Sequence, residues 1–492
     1  MGGLPPFFYS MNNIVFELKQ AEDERIAGKL GSAKKRVVNI IKSYPNYFSA
    51  LVLLGLIYAD EKESEKAYHA LLNAFLINSD NDNLKLSIAA LSLDTRKYQV
   101  AKYFLSSIKE HSAEYFNIYA KIYSALKQHD DAKIAFENSL RYDANWYDTK
   151  FYYAKCLADL GLTEQANKCL VELYNSGFAT IEVIDALIGP EVNDCEIIDF
   201  DKHIHHLSNK SLVDGEHYVL ANLHHRKGNY DLAWAMWAKA KELKLSKERN
   251  QLIQLEKDNI NCLQAQKRYL NSAKPSRSFN KPVFFISGPS RTGKTTLEKI
   301  LSTSLSLKAG YESTLFDDIF KNVVEDAGLP YQKNYLFSIL TNQMIDSFKI
   351  GIDQNLETLC GSSNGFSIAT PSVIYGALSY MQNFDNVYFI HICRNLNDNI
   401  FKIFTRNYKE GNEYALSIEA IKNYINWYKQ MADIILSTYP QRSIRINYED
   451  LIDNPNDIVQ KISKISSIEH QSNLSFSIKG DVGISKEYKK YF

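Results

Sequence analysis

Apolar residues return along the first third of the chain in blocks of helical period, and a small residue marks the same place in each block. Ala33, Ala67 and Ala101 lie 34 residues apart, Ala132 follows after 31, and Ala166 after a further 34. Each stands early in an amphipathic stretch, such as Ser32–Val38, Glu65–Leu72 or Asp131–Phe136, whose apolar positions repeat on one helix face. A small residue there lets the second helix of a pair lie close against the first. Leu54, Gly55 and Tyr58 carry the matching spacing on a first helix, and Pro45 closes the unit before it. One pair cannot bury its own apolar face, so the pattern predicts a stacked array.

The pattern returns at Tyr218–Leu223 and Gly228–Ala240, where Ala233, Trp237 and Ala240 take the second-helix positions. Residues 178–213 in between are irregular. Residues 14–175 and this later unit resemble the tetratricopeptide repeat family. That resemblance implies a concave surface for a peptide or protein partner. The residues by themselves leave a spacer or a dimerisation element as equal alternatives.

Beyond Gln251 the chain turns polar, and Asn271–Asn280 reads as a linker. The pattern then changes to short apolar runs separated by long helical stretches. Val283–Ser287, Val387–Ile392 and Ser443–Asn447 are the clearest strands, and their separation predicts a parallel sheet. The expected fold is multi-domain. An all-α tetratricopeptide-like superhelix covers residues 1–250, a helical extension and linker 251–279, and an α/β P-loop domain with a central parallel sheet 280–492.

The first strand runs into Gly288-Pro-Ser-Arg-Thr-Gly-Lys-Thr, residues 288–295, which fits G-x-x-x-x-G-K-[ST] between a strand and a helix, the context the motif requires. Glycines let backbone N–H groups converge on phosphate oxygens, and the helix starting near Lys294 points its positive end at them. Gly288, Ser290, Arg291, Thr292, Gly293, Lys294, Thr295 and Thr296 are the candidate phosphate ligands. A kinase or NTPase also needs an acidic residue at a strand end to hold magnesium. Here the strand 387–392 ends in Cys393 and Arg394, and Glu449–Leu451 reads as a helix start.

Composition narrows the picture. A formal net charge of zero and a pI of about 7.1 give no support to a nucleic-acid partner. The six cysteines form no CxxC pair, which suits reduced thiols better than a disulfide framework or a zinc site. His203, His205, His206, His224 and His225 are dense, yet no Cys or carboxylate spacing completes a metal site. His391, inside an apolar strand, reads as a core histidine. No apolar run reaches the length of a membrane span. The start lacks a signal-peptide pattern, and Pro6 stands where a myristoylation signal wants Ser or Thr. The expected compartment is the cytoplasm.

Four stretches make the carboxy-terminal half similar to sulfotransferases that use 3′-phosphoadenosine 5′-phosphosulfate (PAPS), above all the bacterial tetratricopeptide-repeat sulfotransferases and the tyrosylprotein sulfotransferases. Phe285–Leu301 resembles the family's 5′-phosphosulfate loop and Ala309–Glu312 its Gly-x-Glu segment. Phe389–Asp398 resembles the strand and loop that bind the 3′-phosphate, and Ile446–Pro455 a late Tyr-Glu-Asp-Leu segment. The resemblance implies transfer of a sulfuryl group from PAPS to a hydroxyl of a glycan, lipid or peptide, with no metal required. It gives Glu312 the role of base. Arg291 and Lys294 would hold the 5′-phosphosulfate, and Arg394 and Lys402 the 3′-phosphate. The tail Gly483–Phe492 is similar to the family's nucleotide-covering end, and on its own residues reads equally as a frayed basic terminus.

The chain departs from the family at three places. Ala369 stands where an Asp-Lys-x-Pro segment carries its lysine, Lys294 replaces a usual Thr, and Lys402 a usual Ser. Lys294 and Lys402 compensating for the lost charge is one account. A kinase or NTPase, or a catalytically degenerate repeat scaffold, are the alternatives.

Overall fold

The computed structural model describes residues 11–126, 128–188, 197–269, 277–329, 340–408, 411–471 and 480–492. The chain packs as two compact units, Met1–Asp194 and Cys195–Phe492.

The first unit is a run of helix pairs: α1 (Met11–Ile26) with α2 (Leu30–Ser43), α3 (Phe48–Asp60) with α4 (Ser64–Ile77), and α5 (Asp82–Asp94) with α6 (Tyr98–Ser106). Next come α7 (Ala113–Ala125) with α8 (His129–Tyr142), α9 (Tyr147–Asp159) with α10 (Thr163–Asn175), and a short α11 (Ile181–Ile188). The periodic alanines are what the pattern predicts. Ala33, Ala67, Ala101 and Ala132 are 0% exposed and Ala166 2%, each near the start of the second helix of its pair. Gly55 on α3 serves the same end from the opposite side. A Cβ there would stand 2.3 Å from Leu71 on α4, so only a hydrogen leaves room for the pair. Leu51, Leu71, Ile88 and Phe104 share one core across two pairs.

The second unit opens with α12 (Phe200–Ser208), α13 (Asp214–Arg226) and α14 (Tyr230–Tyr269). Ala233, Trp237 and Ala240 are buried as expected. The expected division at 250/251, however, falls inside α14, which runs unbroken for 40 residues. Packing explains its length, because the polar second half finds partners in the α/β body. Gln266 Nε2 donates to the carbonyls of Ile374 and Tyr375 at 3.3 Å, and Trp427 Nε1 donates to Asn259 O at 2.7 Å. Of the expected linker, residues 271–276 lie outside the described residues. Arg277 already forms a bridge with Phe384.

The α/β body runs β1 (Val283–Ser287), α15 (Lys294–Ser304), β2 (Leu307–Ala309), α16 (Leu315–Asp326), α17 (Asn342–Cys360), β3 (Gly365–Ile368), α18 (Ala377–Asn383) and β4 (Val387–Cys393). It continues through α19 (Leu396–Phe404), α20 (Ile418–Thr438), β5 (Ser443–Asn447), α21 (Tyr448–Asp453) and α22 (Pro455–Ser466). All five strands are parallel, in the order β2-β3-β1-β4-β5, with Phe285 level with Ile368 on one side and Phe389 on the other. Each face of β1 feeds its own core, Phe285 into one and Phe284 with Ile286 into the other. Such two-sided burial is the reason parallel strands read as continuous apolar runs.

The chain leaves β1 toward the β2 edge, returns through β3, and crosses to β4 on the other side. The carboxyl ends of β1, β3 and β4 therefore meet at a switch point, where open α/β sheets bind ligands. Among the described residues no helix is long and apolar enough to cross a membrane, and no cluster of His, Cys, Asp or Glu could hold a metal ion.

Candidate functional site

The turn after β1 is shaped by backbone demands. Arg291 (φ 66°) and Gly293 (φ 94°) are both left-handed, and Gly293 caps α15. A Cβ on Gly293 would come within 2.4 Å of the Tyr448 ring, and one on Gly288 within 2.5 Å of Ile392 O. Neighbouring side chains fix the turn from behind. The Tyr428 hydroxyl accepts from Gly288 N at 3.0 Å, bonds Ser287 Oγ at 2.8 Å and donates to Pro371 O at 2.9 Å. Ser290 is held through its hydroxyl by Tyr414 at 2.6 Å and through its carbonyl by Asn399 Nδ2 at 2.8 Å.

Within that frame the predicted ligands divide. Arg291 and Thr295 are exposed at the mouth of the turn, and Ser290 and Thr296 are half-buried. Thr292 and Lys294 turn inward, and both donate to Pro289 O, at 2.9 and 2.8 Å. Burial pushes the Lys294 ammonium down to about 7. The Glu312 carboxylate pulls it back up, and Arg291 works against it. Glu312, expected as a base, thus lies within electrostatic reach of the turn.

Arg394, expected as the second anchor, stands at the same sheet edge. Its Nη1 donates to Arg291 O at 3.4 Å, and its guanidinium lies 4.4 Å over the Tyr448 ring. The side chain is 2% exposed and already holds an anion: Nη2 donates to Asp481 Oδ1 at 2.8 Å and to Asp481 O at 2.6 Å. Lys402 pairs with Asp481 Oδ2, and the Tyr448 hydroxyl donates to Oδ1 at 3.0 Å. Arg394 and Lys402 do converge, then, but on a carboxylate of the tail. The tail itself is anchored. Buried Asp398 accepts from Gly483 N at 2.6 Å and from Ser485 N and Oγ at 3.0 and 2.6 Å. Tyr488 is fully buried beside Trp237 and Phe401, with its hydroxyl 2.7 Å from His225 Nδ1.

The Glu312 end of the site is built on β2 and β3. Gly310 N donates to Ser367 O at 2.8 Å and Ala369 N to Tyr311 O at 2.8 Å, which extends the strand pairing past β2. Ala369 is buried in the apolar cluster beneath α15. A cavity of about 30 Å³ lies between Ser313 and Thr370, closed by Phe285, Phe316 and Tyr380. That is room for about one water-sized group. His391 is 2% exposed and burial holds its ring at about 3, a neutral core histidine as expected.

Several residues in this arrangement escaped the motif reading. Tyr414, Tyr428 and Asn399 are buried or nearly so and no motif marks them, and Asp398 ends the stretch Phe389–Asp398 without a role assigned to it. Asp481 lies just ahead of the tail Gly483–Phe492 and belongs to no motif. Glu298 lies within the stretch Phe285–Leu301 with no role assigned to it, and it is fully buried.

Residues 282–471 match a family described as the sulfotransferase family. No curated protein matches the chain. Among solved structures, the MamA protein is similar at 15% identity over 41% of this chain and 97% of that one, with a TM-score of 0.29. A tetratricopeptide repeat protein from Parabacteroides merdae ATCC 43184 shows 12% identity over 47% and 79%, with a TM-score of 0.33. The sulfotransferase domain from the Curacin biosynthetic pathway shows 15% identity over 42% and 82%, with a TM-score of 0.25. With its strand-turn-helix edge, its parallel sheet and the helix pairs that precede it, the chain combines tetratricopeptide-type repeats with a domain of the sulfotransferase family.

Proposed function

We propose that the α/β body transfers a sulfuryl group from PAPS to a hydroxyl of a glycan, lipid or peptide. In this reading the exposed mouth of the turn, with Arg291 and the start of α15, receives the 5′-phosphosulfate. Lys294 gives charge from beneath. Arg394, Lys402 and Tyr448 receive the 3′-phosphate. Glu312 takes the proton as the acceptor oxygen bonds to sulfur. The bond between sulfur and the bridging oxygen breaks, and adenosine 3′,5′-bisphosphate leaves. Sulfuryl transfer of this kind rests on positioning and on stabilising charge at the bridging oxygen.

The observation that carries the reading is that Arg394 reaches the glycine turn at one sheet edge, its Nη1 donating to the backbone carbonyl of Arg291 at 3.4 Å. The Asp481 carboxylate, held by Arg394, Lys402 and Tyr448, serves as a stand-in anion: three donors already converge on a charge of the expected sign.

Isothermal titration tests the proposal. Adenosine 3′,5′-bisphosphate should bind without magnesium and ATP with magnesium weakly. Tight magnesium-dependent ATP binding with no affinity for the bisphosphate would reject it in favour of a kinase or NTPase.

Ala369 favours a second reading, because its burial among apolar side chains leaves no cation at that place. A binding scaffold of this kind would take up the bisphosphate and transfer nothing. We further propose a cytoplasmic location, consistent with cysteines that are unpaired among the described residues, and a peptide partner on the repeat surface.

A further inference from the structure

The turn that presents Glu312 rests on a carboxyl group to which the reaction gives no role. Glu298 lies one helical turn beyond Lys294 on α15 and is 0% exposed. Its Oε1 accepts from the Tyr311 backbone N–H at 3.0 Å and from Ser367 Oγ at 2.9 Å. Tyr311 has φ 52°, a left-handed conformation that a bulky residue seldom adopts without being held there. The carbonyl on the other side of that residue stays in the strand pairing, accepting from Ala369 N at 2.8 Å. One face of the turn is thus tied to β3 and the other to α15. An apolar side chain at 298 would leave the Tyr311 N–H and the Ser367 hydroxyl buried without an acceptor.

Burying a carboxyl group costs stability unless it does something in return. Burial pushes the Glu298 group up to about 7, while the bonds from Ser367 and Tyr311 pull it down and the Glu312 charge pushes it up. Oε2 has no hydrogen-bond partner among the described residues. A side chain kept for stability alone could be replaced by a smaller hydroxyl or amide on β3. This one comes from the helix that begins at the glycine turn.

We propose that Glu298 is the positioning residue for Glu312: by clamping the Gly310–Tyr311 turn to α15 and β3, it sets where the Glu312 carboxylate stands relative to the turn at residues 288–293. The inference rests on Glu312 acting as the base of the proposed sulfuryl transfer. Because one rigid helix carries both Lys294 and Glu298, the base is placed by the element that also fixes the donor's anionic end.

The test uses the full chain and two variants, Glu298→Ala, which removes the acceptor, and Glu298→Gln, which keeps an oxygen in place of Oε1. Hydrogen exchange of the Tyr311 amide should be about 100-fold faster in Glu298→Ala and within a few-fold of wild type in Glu298→Gln. Unchanged exchange in Glu298→Ala overturns the clamp whatever the protein catalyses. Release of adenosine 3′,5′-bisphosphate from PAPS, with N-acetyltyrosinamide as the probe acceptor, should fall about 10- to 100-fold in kcat for Glu298→Ala. Its KM for PAPS should stay within about twofold, and Glu298→Gln should restore kcat to within about threefold. An equal loss in kcat and in PAPS affinity, with no rescue by Gln, would reduce Glu298 to a structural role and overturn the inference. Absence of wild-type turnover, with Tyr311 exchange behaving as stated, would reject the reading of Glu312 as a base while supporting the clamp.

Discussion

Arg394 grips the Asp481 carboxylate, Nη2 to Oδ1 at 2.8 Å, across 87 residues of sequence. Lys402 and Tyr448 complete the grip, and the backbone just beyond Asp481 is fixed to Asp398. In the proposed reading a nucleotide phosphate wants the same donors as this carboxylate, and the two would compete. Asp481→Asn keeps the shape and removes the charge. The affinity for adenosine 3′,5′-bisphosphate should then rise about tenfold, the worth of one charge-assisted contact of roughly 1.4 kcal/mol. Isothermal titration reads this directly, and an unchanged affinity would mean that Asp481 and the nucleotide do not share donors.

Lys294 should make anion binding depend on pH. Its ammonium is held down to about 7 by burial, against an ordinary value near 10.4. Below pH 7 the free protein carries the charge, and above it the side chain is neutral and must take up a proton to meet an anion. Bisphosphate affinity should therefore fall as pH rises above 7, by at most about tenfold per unit. Titrations in buffers of different ionisation heat should show proton uptake at pH 8, and Lys294→Met should flatten the slope. The sign for stability is the reverse. The cost of the buried charge is fully present below pH 7 and is relieved between 7 and the unfolded value, so Lys294→Met should raise the melting temperature most at low pH.

Glu312→Gln should lower kcat by about 10²- to 10⁴-fold, the span of general-base catalysis. Bisphosphate affinity should stay within about twofold, because the base meets the acceptor and not the nucleotide. Steady-state turnover of PAPS together with titration separates the two. A parallel loss of both would place Glu312 among the nucleotide ligands instead.

Gly293→Ala tests the turn itself. It adds left-handed strain of about 1–2 kcal/mol and sets a Cβ 2.4 Å from the Tyr448 ring, which also stacks on Arg394. Bisphosphate binding should be lost and the melting temperature should drop by several degrees. Gly28 is the control. It has φ 75° with nothing within 4 Å of a Cβ, so Gly28→Ala should carry only the strain and leave binding intact.

The parts of this fold that a sequence displays are those whose cause is local. The buried alanines recur because every helix pair meets the same steric demand, and β1 and β4 are apolar runs because a central parallel strand is covered on both faces, whereas β5, at the sheet edge, alternates. β2 and β3 were missed for physical reasons: three residues, Leu307–Ala309, and a run opening on Gly365 carry too little periodicity to register. At the site, Gly288–Thr295, Glu312 and Arg394 stood out because a turn, a Gly-x-Glu or a strand end marks them. Glu298 and Asp481 did not, since one is concealed by the tertiary burial of a polar helix face and the other acts from the far end of the chain.

Helix α14 starts inside a repeat and ends inside the enzyme-like body, so the two architectures share a beam. Asn259, Cys262 and Gln266 lie against that body, while Trp234, near the other end of the same helix, stacks on Tyr491 of the tail at 4.5 Å. A cut at the phosphate-loop boundary would strip away the seat of the very segment that reaches Arg394. The last helix pair is thereby part of the compact unit that holds the sheet, with Tyr218 and His225 of α13 packed against it, so a foreign repeat array would have to be joined upstream of Asp214.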